Sequence, residues 1–318
     1  MSRSQRTKKR KLRKWVKYSL FLIALIVTAT AAAGGYAYYK VASASKEAHI
    51  DLARGSQSVK RIKEFNPAKD NFTVLLMGND ARPGQDMNKE RSDAMILATF
   101  NRKDKSVKLL SIPRDSYVNI PGHGLDKITH AHSLGGRDLS VETVENLLDV
   151  PVDYVVDINF TAFEEIIDEL GGVPVTIKNE YIVKQITKDT KGKVNLTTGS
   201  QTLNGEEALA YVRTRKADTD LMRGQRQMEV IKAIISKSKS ITSIPAYDDI
   251  LDTLGKNVSM NLSLNDAIGL IPFISSLQSV DSLQLKGSDY KPGKVYYFQL
   301  DQTTLAEIKQ ELKQQLGS

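Results

Sequence analysis

Apolar residues fall in short blocks over 72–78 (FTVLLMG), 93–101 (DAMILATFN) and 105–113 (KSVKLLSIP). Blocks of this length, closed by Gly78 or by polar turn formers, predict β-strands. The turn-like RKDK at 102–105 joins the last two as a hairpin. The period then lengthens. Residues 140–150 (SVETVENLLDV) repeat at helical spacing, with Ser140 placed as their cap, and 152–159 (VDYVVDIN) return to alternation. An amphipathic helix is predicted over 160–170, stopped by Gly171 and Gly172, with a strand at 173–177 behind it. Helices are expected over 204–212, 220–237, 264–277 and 304–316, with Asp220 near the cap of the second, and strands over 282–287 and 295–300. This alternation predicts an α/β fold, a layered α-β-α domain around a central mixed sheet.

One block does not belong to such a core. Residues 18–39 (YSLFLIALIVTATAAAGGYAYY) carry no charge, and a helix needs about 20 apolar residues to cross a bilayer. The basic run before it predicts a cytoplasmic N-terminus, and the tyrosines at its far end suit a membrane interface. Small residues at 29–33 also fit a signal-peptide cleavage site, but the apolar region of such a peptide usually runs about 7–15 residues. An uncleaved anchor is therefore expected. The predicted order is a basic arm (1–17), one transmembrane helix (18–39), a polar extracellular stalk (40–70) and a catalytic domain (71–318) outside the cell membrane.

The net charge of +8 suggests a polyanion binder until it is located. Nine of the 45 basic residues lie in the arm without an acidic partner, which leaves 36 basic against 37 acidic residues elsewhere. The body is close to neutral, so nucleic acid is not an expected partner. There is no cysteine, so the exported core must stand without disulfides.

Several charged positions stand out. Asp80 follows the first predicted strand and Asp93 opens the second, and loops beyond strand ends are where α/β sheets place ligands. Two carboxylates brought together there would repel unless a hard cation joined them, and Mg²⁺ shared with phosphate oxygens is the usual arrangement. The bland alternative is a pair of turn aspartates capping their own backbone. Arg114 and Asp115 follow the third strand, where an arginine can equally be half of a structural ion pair. Residues 208–227 (ALAYVRTRKADTDLMRGQRQ) concentrate Arg213, Arg215, Arg223 and Arg226. The alternation in YVRTR lets Arg213 and Arg215 share a face if the chain is extended there. Asp220, Arg223 and Gln227 fall along one helical face, with Arg226 toward its rim. Guanidinium groups pair bidentately with phosphate oxygens, which suits a pyrophosphate; a solvated helix laced with ion pairs is the alternative. No phosphate-loop, nucleophile-elbow or HExxH pattern occurs, and His130 and His132 in THAHS are expected to make surface or hydrogen-bonding contacts.

LLMGNDAR, RSDAMIL, LLSIPRDSYV, DKITHAHSLGG, VPVDYVVDINFTAFEEIIDELGGV, LNGEEALAYVRTR and DLMRGQRQ, in that order between residues 72 and 239, resemble the LytR-CpsA-Psr family of membrane-anchored bacterial cell-wall transferases. The resemblance implies an α/β domain with a long apolar pocket for a polyprenyl chain. The implied activity moves a phosphorylated glycopolymer, such as wall teichoic acid, from a polyprenyl-pyrophosphate carrier to a muramic acid hydroxyl of peptidoglycan, assisted by Mg²⁺ or Mn²⁺. It also implies that Asp80 and Asp93 are the metal-binding and catalytic carboxylates, with Arg114 at the reacting phosphate. Arg82, Arg91, Arg114, Lys127, Arg213, Arg215 and Arg223 match pyrophosphate-binding positions, with Asp220 and Gln227 as helix partners. Two readings compete: a polyprenyl-pyrophosphate hydrolase using the same groups, and an envelope regulator or lipid-binding module without transfer. Which carboxylate accepts the acceptor's proton (Asp80, Asp93 or Asp220) is open from sequence.

Overall fold

A computed structural model of the chain describes residues 46–55, 57–81, 87–89, 92–214, 219–239 and 257–317, with isolated positions before 46. The membrane span expected at 18–39 lies outside them except for Tyr36 and Tyr39; among the described residues no helix is long and apolar enough to cross a membrane.

The first strands are β1 (Phe72–Asn79), β2 (Ser92–Asn101) and β3 (Ser106–Ile112), then a small hairpin of β4 (Tyr117–Ile120) and β5 (Gly124–Lys127). Helix α1 (Ile128–Leu148) leads to β6 (Tyr154–Asn159), α2 (Phe160–Glu169) and β7 (Val173–Ile177). Next come α3 (Glu180–Asp189), β8 (Gly199–Leu203), α4 (Gly205–Arg213) and α5 (Asp220–Ser238). The chain closes with β9 (Val258–Met260), α6 (Leu264–Ser276), β10 (Ser279–Gln284), β11 (Gly287–Tyr290), β12 (Tyr297–Leu300) and α7 (Gln302–Leu316).

Six strands form one sheet in the order β10-β3-β2-β1-β6-β9. The first three strands in sequence are an antiparallel meander, turned at Lys105 in the left-handed region. β6 runs parallel to β1, β10 parallel to β3, and β9 antiparallel to β6, so the sheet is mixed as expected. Strand alternation sends Leu75, Met77, Leu97 and Leu110 to one face, where α1 and α7 cover them with Val141, Val144, Leu148, Ile308 and Leu312. The other face carries Phe72, Ile96, Phe100 and Leu109 against Met228 of α5 and Phe273 of α6. Phe72 and Phe100 stack at 4.6 Å, and Phe273 meets both edge-on at 5.9 and 6.1 Å; such pairs add about 0.5–1.5 kcal/mol beyond burial. A third core lies around the β7–β8 pair, with Ile167, Val173, Ile186, Leu203 and Tyr211.

Three features differ from the sequence expectations. Ser140 does not cap a helix: α1 starts twelve positions earlier, and the Ser140 hydroxyl donates to the Gly136 carbonyl inside it. The helix kinks at Gly135 and Gly136 instead. Gly136 has φ +65, and a Cβ there would fall well inside contact distance of the Asn88 amide, which also accepts from the Arg137 N–H at 2.9 Å. The kink thus holds Asn88 of the short turn Met87–Lys89, between Asp80 and Asp93 in sequence. Second, part of the segment expected as a stalk touches the domain: Leu52 joins the main core, Arg54 pairs with Glu145 at 2.7 Å and Arg61 with Asp153 at 2.5 Å. Third, α3 had no expectation; it is capped by Asn179, which accepts from Tyr181 N.

Candidate active site

The register places the key groups at one edge of the sheet. Asn79 ends β1 opposite Ser92 at the start of β2 and beside Asn159 at the end of β6, and Ile112 ends β3 opposite Met95. Asp80, Asp93, Arg114 and Phe160 are therefore neighbours by topology, although up to 80 residues separate them.

A chain of alternating charges runs across this edge. Asp93 accepts from Arg114 Nη1 at 2.8 Å; Arg114 Nε lies 3.5 Å from Asp115, and Asp115 takes Lys127 Nζ at 2.7 Å. On α5, Arg223 Nη2 holds Asp220 at 2.8 Å. Burial works against the Arg114 charge, but Asp115, Asp93 and Asp220 together raise its pKa above the ordinary value. Burial also raises the Asp220 carboxyl, helped by its hydrogen bond and repulsion with Asp115 against the pull of Arg223. For Asp115, burial is outweighed by Lys127 and Arg114, and its pKa is lowered. Two carboxyl groups sharing a hydrogen bond are thus driven apart in acidity.

Helix α5 reaches this edge because Thr219 caps it, accepting from Met222 N, and because Gly224 lets it approach β3. A Cβ at Gly224 would collide with the Ser111 hydroxyl. That close approach sets Arg223 and Gln227 over the sheet, where both line a cavity with Asp93 and Arg213. The rest of its wall is mostly apolar, with Leu76, Ile96, Ile158, Phe160, Phe163 and Ile231 among its residues, and the space spans about 890 Å³, part of it open to solvent. The segment VVDINFTAFEEII is divided: Ile158, Asn159, Phe160 and Phe163 line the cavity, whereas Ala162 and Ile167 are core.

Beyond Asp93, Leu209 and Arg213, which the two spaces share, a second groove opens. Asp80, Asp93, Glu164, Asp189 and Glu206 line it with Arg213 as the basic member. Burial raises the pKa of Glu164, and the nearby Glu206 and Asp168 charges add to the rise. Glu164 and Glu206 had no sequence signal, since each lies on the polar side of an ordinary amphipathic helix.

The arginines separate into distinct jobs. Arg213 ends α4, with its guanidinium 4.1 Å from the Phe160 ring centroid. YVR is therefore helical rather than extended, because the capping box of Asn204 and Glu207 starts the helix upstream and Thr214 ends it. Arg226 is buried; its Nε donates to Tyr211 O at 2.9 Å and its Nη2 to Thr214 O at 2.6 Å. It holds backbone, not ligand. Arg82, Arg91 and Arg215 lie outside the described residues. His130 pairs with Asp126 at 2.8 Å, a hydrogen-bonding contact of the kind expected, and His132 is buried.

Among the described residues no three acidic or imidazole groups form a metal cage. Asp80 and Asp93 do share the groove wall, and two hard carboxylates open to further oxygen ligands are what Mg²⁺ takes when phosphate completes its shell.

The LytR_cpsA_psr family profile matches residues 35–314. The chain is 65% identical over 318 residues to the polyisoprenyl-teichoic acid–peptidoglycan teichoic acid transferase TagT of Bacillus subtilis (strain 168), covering 99% of each. It superimposes on a solved structure of TagT bound to LIIa-WTA with a TM-score of 0.78 at 63% identity, covering 85% of this chain and 100% of that one. A structure of YwtF (TagT) with bound octaprenyl pyrophosphate lipid gives a TM-score of 0.73 at 59% identity, with the same coverage.

Proposed function

Because the chain belongs to the LytR-CpsA-Psr family, we propose that it is a phosphotransferase. It moves an anionic glycopolymer of the wall teichoic acid type from a polyprenyl-pyrophosphate carrier to a muramic acid hydroxyl of peptidoglycan. One observation carries the reading: an apolar cavity opens onto Asp93, Arg213, Arg223 and Gln227, with Arg114 bound to the same Asp93. On this reading the isoprenoid chain lies along the apolar wall and its pyrophosphate meets the arginines. The bound lipid of the YwtF (TagT) structure is the matching chemistry in a relative.

The acceptor hydroxyl oxygen attacks the phosphorus distal to the lipid. The bond from that phosphorus to the bridging oxygen breaks, polyprenyl monophosphate leaves, and the hydroxyl proton passes to a carboxylate. In-line displacement needs the acceptor opposite the leaving group. The groove lies on the far side of Asp93 and Arg213 from the cavity, which suits that approach. Asp80 and Asp93 line it and Asp220 does not; the first two are the better proton acceptors. Arg114, Arg213 and Arg223 neutralise charge on the phosphates, and Arg82, Arg91 and Arg215 are proposed to join them, with Lys127 holding Asp115. Mg²⁺ or Mn²⁺ on Asp80 and Asp93 supplies further charge neutralisation when bound. Residues 18–39 anchor the chain, with the N-terminus cytoplasmic and the catalytic domain outside, where both substrates meet.

The test combines full chain, a short-chain polyprenyl-pyrophosphate glycopolymer, peptidoglycan oligomers and Mg²⁺, with mass spectrometry of the products. A phosphodiester-linked product that vanishes with Arg114→Ala supports transfer. Pyrophosphate cleavage without linkage would make the protein a hydrolase.

A further inference from the structure

On the side of Arg114 away from the acidic groove stands the β11–β12 hairpin. It is fastened to the site by backbone: Phe298 N donates to Asp115 O at 2.8 Å, and Ser116 bridges Phe298. Its rings cluster with Tyr117, whose centroid lies 5.3 Å from Tyr290 and 4.7 Å from Tyr297, tilted by 44° and 54°. Tilted rings leave faces open instead of covering one another, and Tyr290 is 37% exposed. Lys127 Nζ, bound to Asp115, sits 5.9 Å from the Tyr296 ring and 5.7 Å from that of Tyr297. The hairpin tip, 291–295, is exposed and holds Lys291 and Lys294. Tyr296 donates to Asp289 at 3.0 Å. Burial first, then Asp289, pushes its pKa up to about 12, with smaller contributions from Asp220 and Asp115, so the phenol lies within electrostatic reach of the site.

We propose that this hairpin is a subsite for the anionic glycopolymer of the donor, tyrosine faces packing on its sugar rings and Lys291 and Lys294 meeting its repeating phosphates. The proposal rests on the transferase reading and adds where the polymer lies. Charge decides between the two sides. Among the described residues the groove carries five carboxylates with Arg213, whereas residues 286–295 carry three lysines and one aspartate. Aromatic rings offer an apolar face with a polar rim, which suits the alternating CH and OH surfaces of a pyranose.

The experiment titrates a lipid-free disaccharide–poly(glycerol phosphate) oligomer into the full chain in detergent, by calorimetry, at low and high salt. Binding is expected to weaken about 10-fold in Tyr290→Ala and in the Lys291→Gln/Lys294→Gln pair. Tyr290→Phe, which keeps the ring, should bind like the wild type, and the lysine pair should flatten the salt dependence. Equal binding by all variants, or none by the wild type, overturns the proposal. So does loss of binding to a soluble peptidoglycan oligomer instead, which would make the hairpin an acceptor site. If the wild type cleaves the donor without linking it, the transferase reading fails while the oligomer titration still decides the hairpin.

Discussion

Arg226→Ala tests whether the arginines of 208–227 work as one cluster. Arg226 is 4% exposed and donates two charge-assisted hydrogen bonds, to Tyr211 O and Thr214 O, at the C-terminal end of α4. Its guanidinium also lies 5.7 Å from the Tyr211 ring centroid. Hydrogen bonds to charged groups contribute about 1.5–3 kcal/mol each, and carbonyls left buried without a donor add to the loss. The substitution should therefore destabilise the domain by roughly 3–6 kcal/mol. For a domain of this size that lowers Tm by about 10 °C. Arg223→Ala, three positions away, removes one partner of Asp220 and a cavity-lining charge, so its main effect should fall on affinity for a short-chain polyprenyl pyrophosphate. The assay pairs thermal unfolding by circular dichroism with equilibrium binding of that lipid on the same three samples. If Arg226→Ala melts with the wild type and loses lipid affinity instead, the division of labour is wrong and Arg226 belongs with the ligand-binding set.

Gly224→Ala should destabilise by about 1–3 kcal/mol through overpacking against Ser111, although alanine normally favours a helix by about 1 kcal/mol; chemical denaturation reads the sign, and Ser111→Ala should recover part of the loss. Ile234→Trp narrows the apolar cavity, so KM for long-chain donors should rise about 10-fold, or ~1.4 kcal/mol, with short-chain donors little changed in steady-state assays. Asp149 is held down to about 2 by hydrogen bonds from Lys313 and Lys60. Its folded pKa lies below the ordinary value, so its contribution is present above pH ~4 and lost as pH falls through ~2. Asp149→Asn, which suits the left-handed φ of 54 at that position, should flatten acid unfolding over that window when followed by fluorescence or circular dichroism.

Much of the scaffold was legible where local signals agree with tertiary ones. The β1-β2-β3 meander follows from apolar blocks and a polar turn, and α2 ends at Gly171 and Gly172, both at positive φ. The start of α1 was not legible, because THAHSLGG reads as a break. Only Asn88, seated against Gly136, explains a helix that bends there and continues. The pairing of β10 with β3 joins residues more than 170 apart in sequence, and no periodicity announces it. At the site, Asp93, Arg114, Arg223 and Gln227 stand out by type and spacing, and the structure brings them to one cavity edge or its ion pairs. Tyr117, Tyr290, Tyr296 and Tyr297 did not, since scattered tyrosines in short strands look like ordinary sheet residues. Arg226 illustrates the converse: sequence proximity to Arg223 suggests a shared task, and only their partners separate them, backbone carbonyls for Arg226 and Asp220 beside the cavity for Arg223.

The hydrogen bond from Phe298 N to Asp115 O joins the turn beside Arg114 to a segment 183 residues further along. On the topology proposed above, in which the chain beyond residue 39 crosses the membrane in order, this would make the site a late product of synthesis. Arg114, Asp115 and Lys127 reach the outer surface long before Phe298 does, and until it arrives the turn lacks one of its backbone supports. A carrier lipid diffusing past a half-emerged chain meets unassembled loops. On that topology, competence to handle the lipid would arise only once the polypeptide has passed through almost to its end.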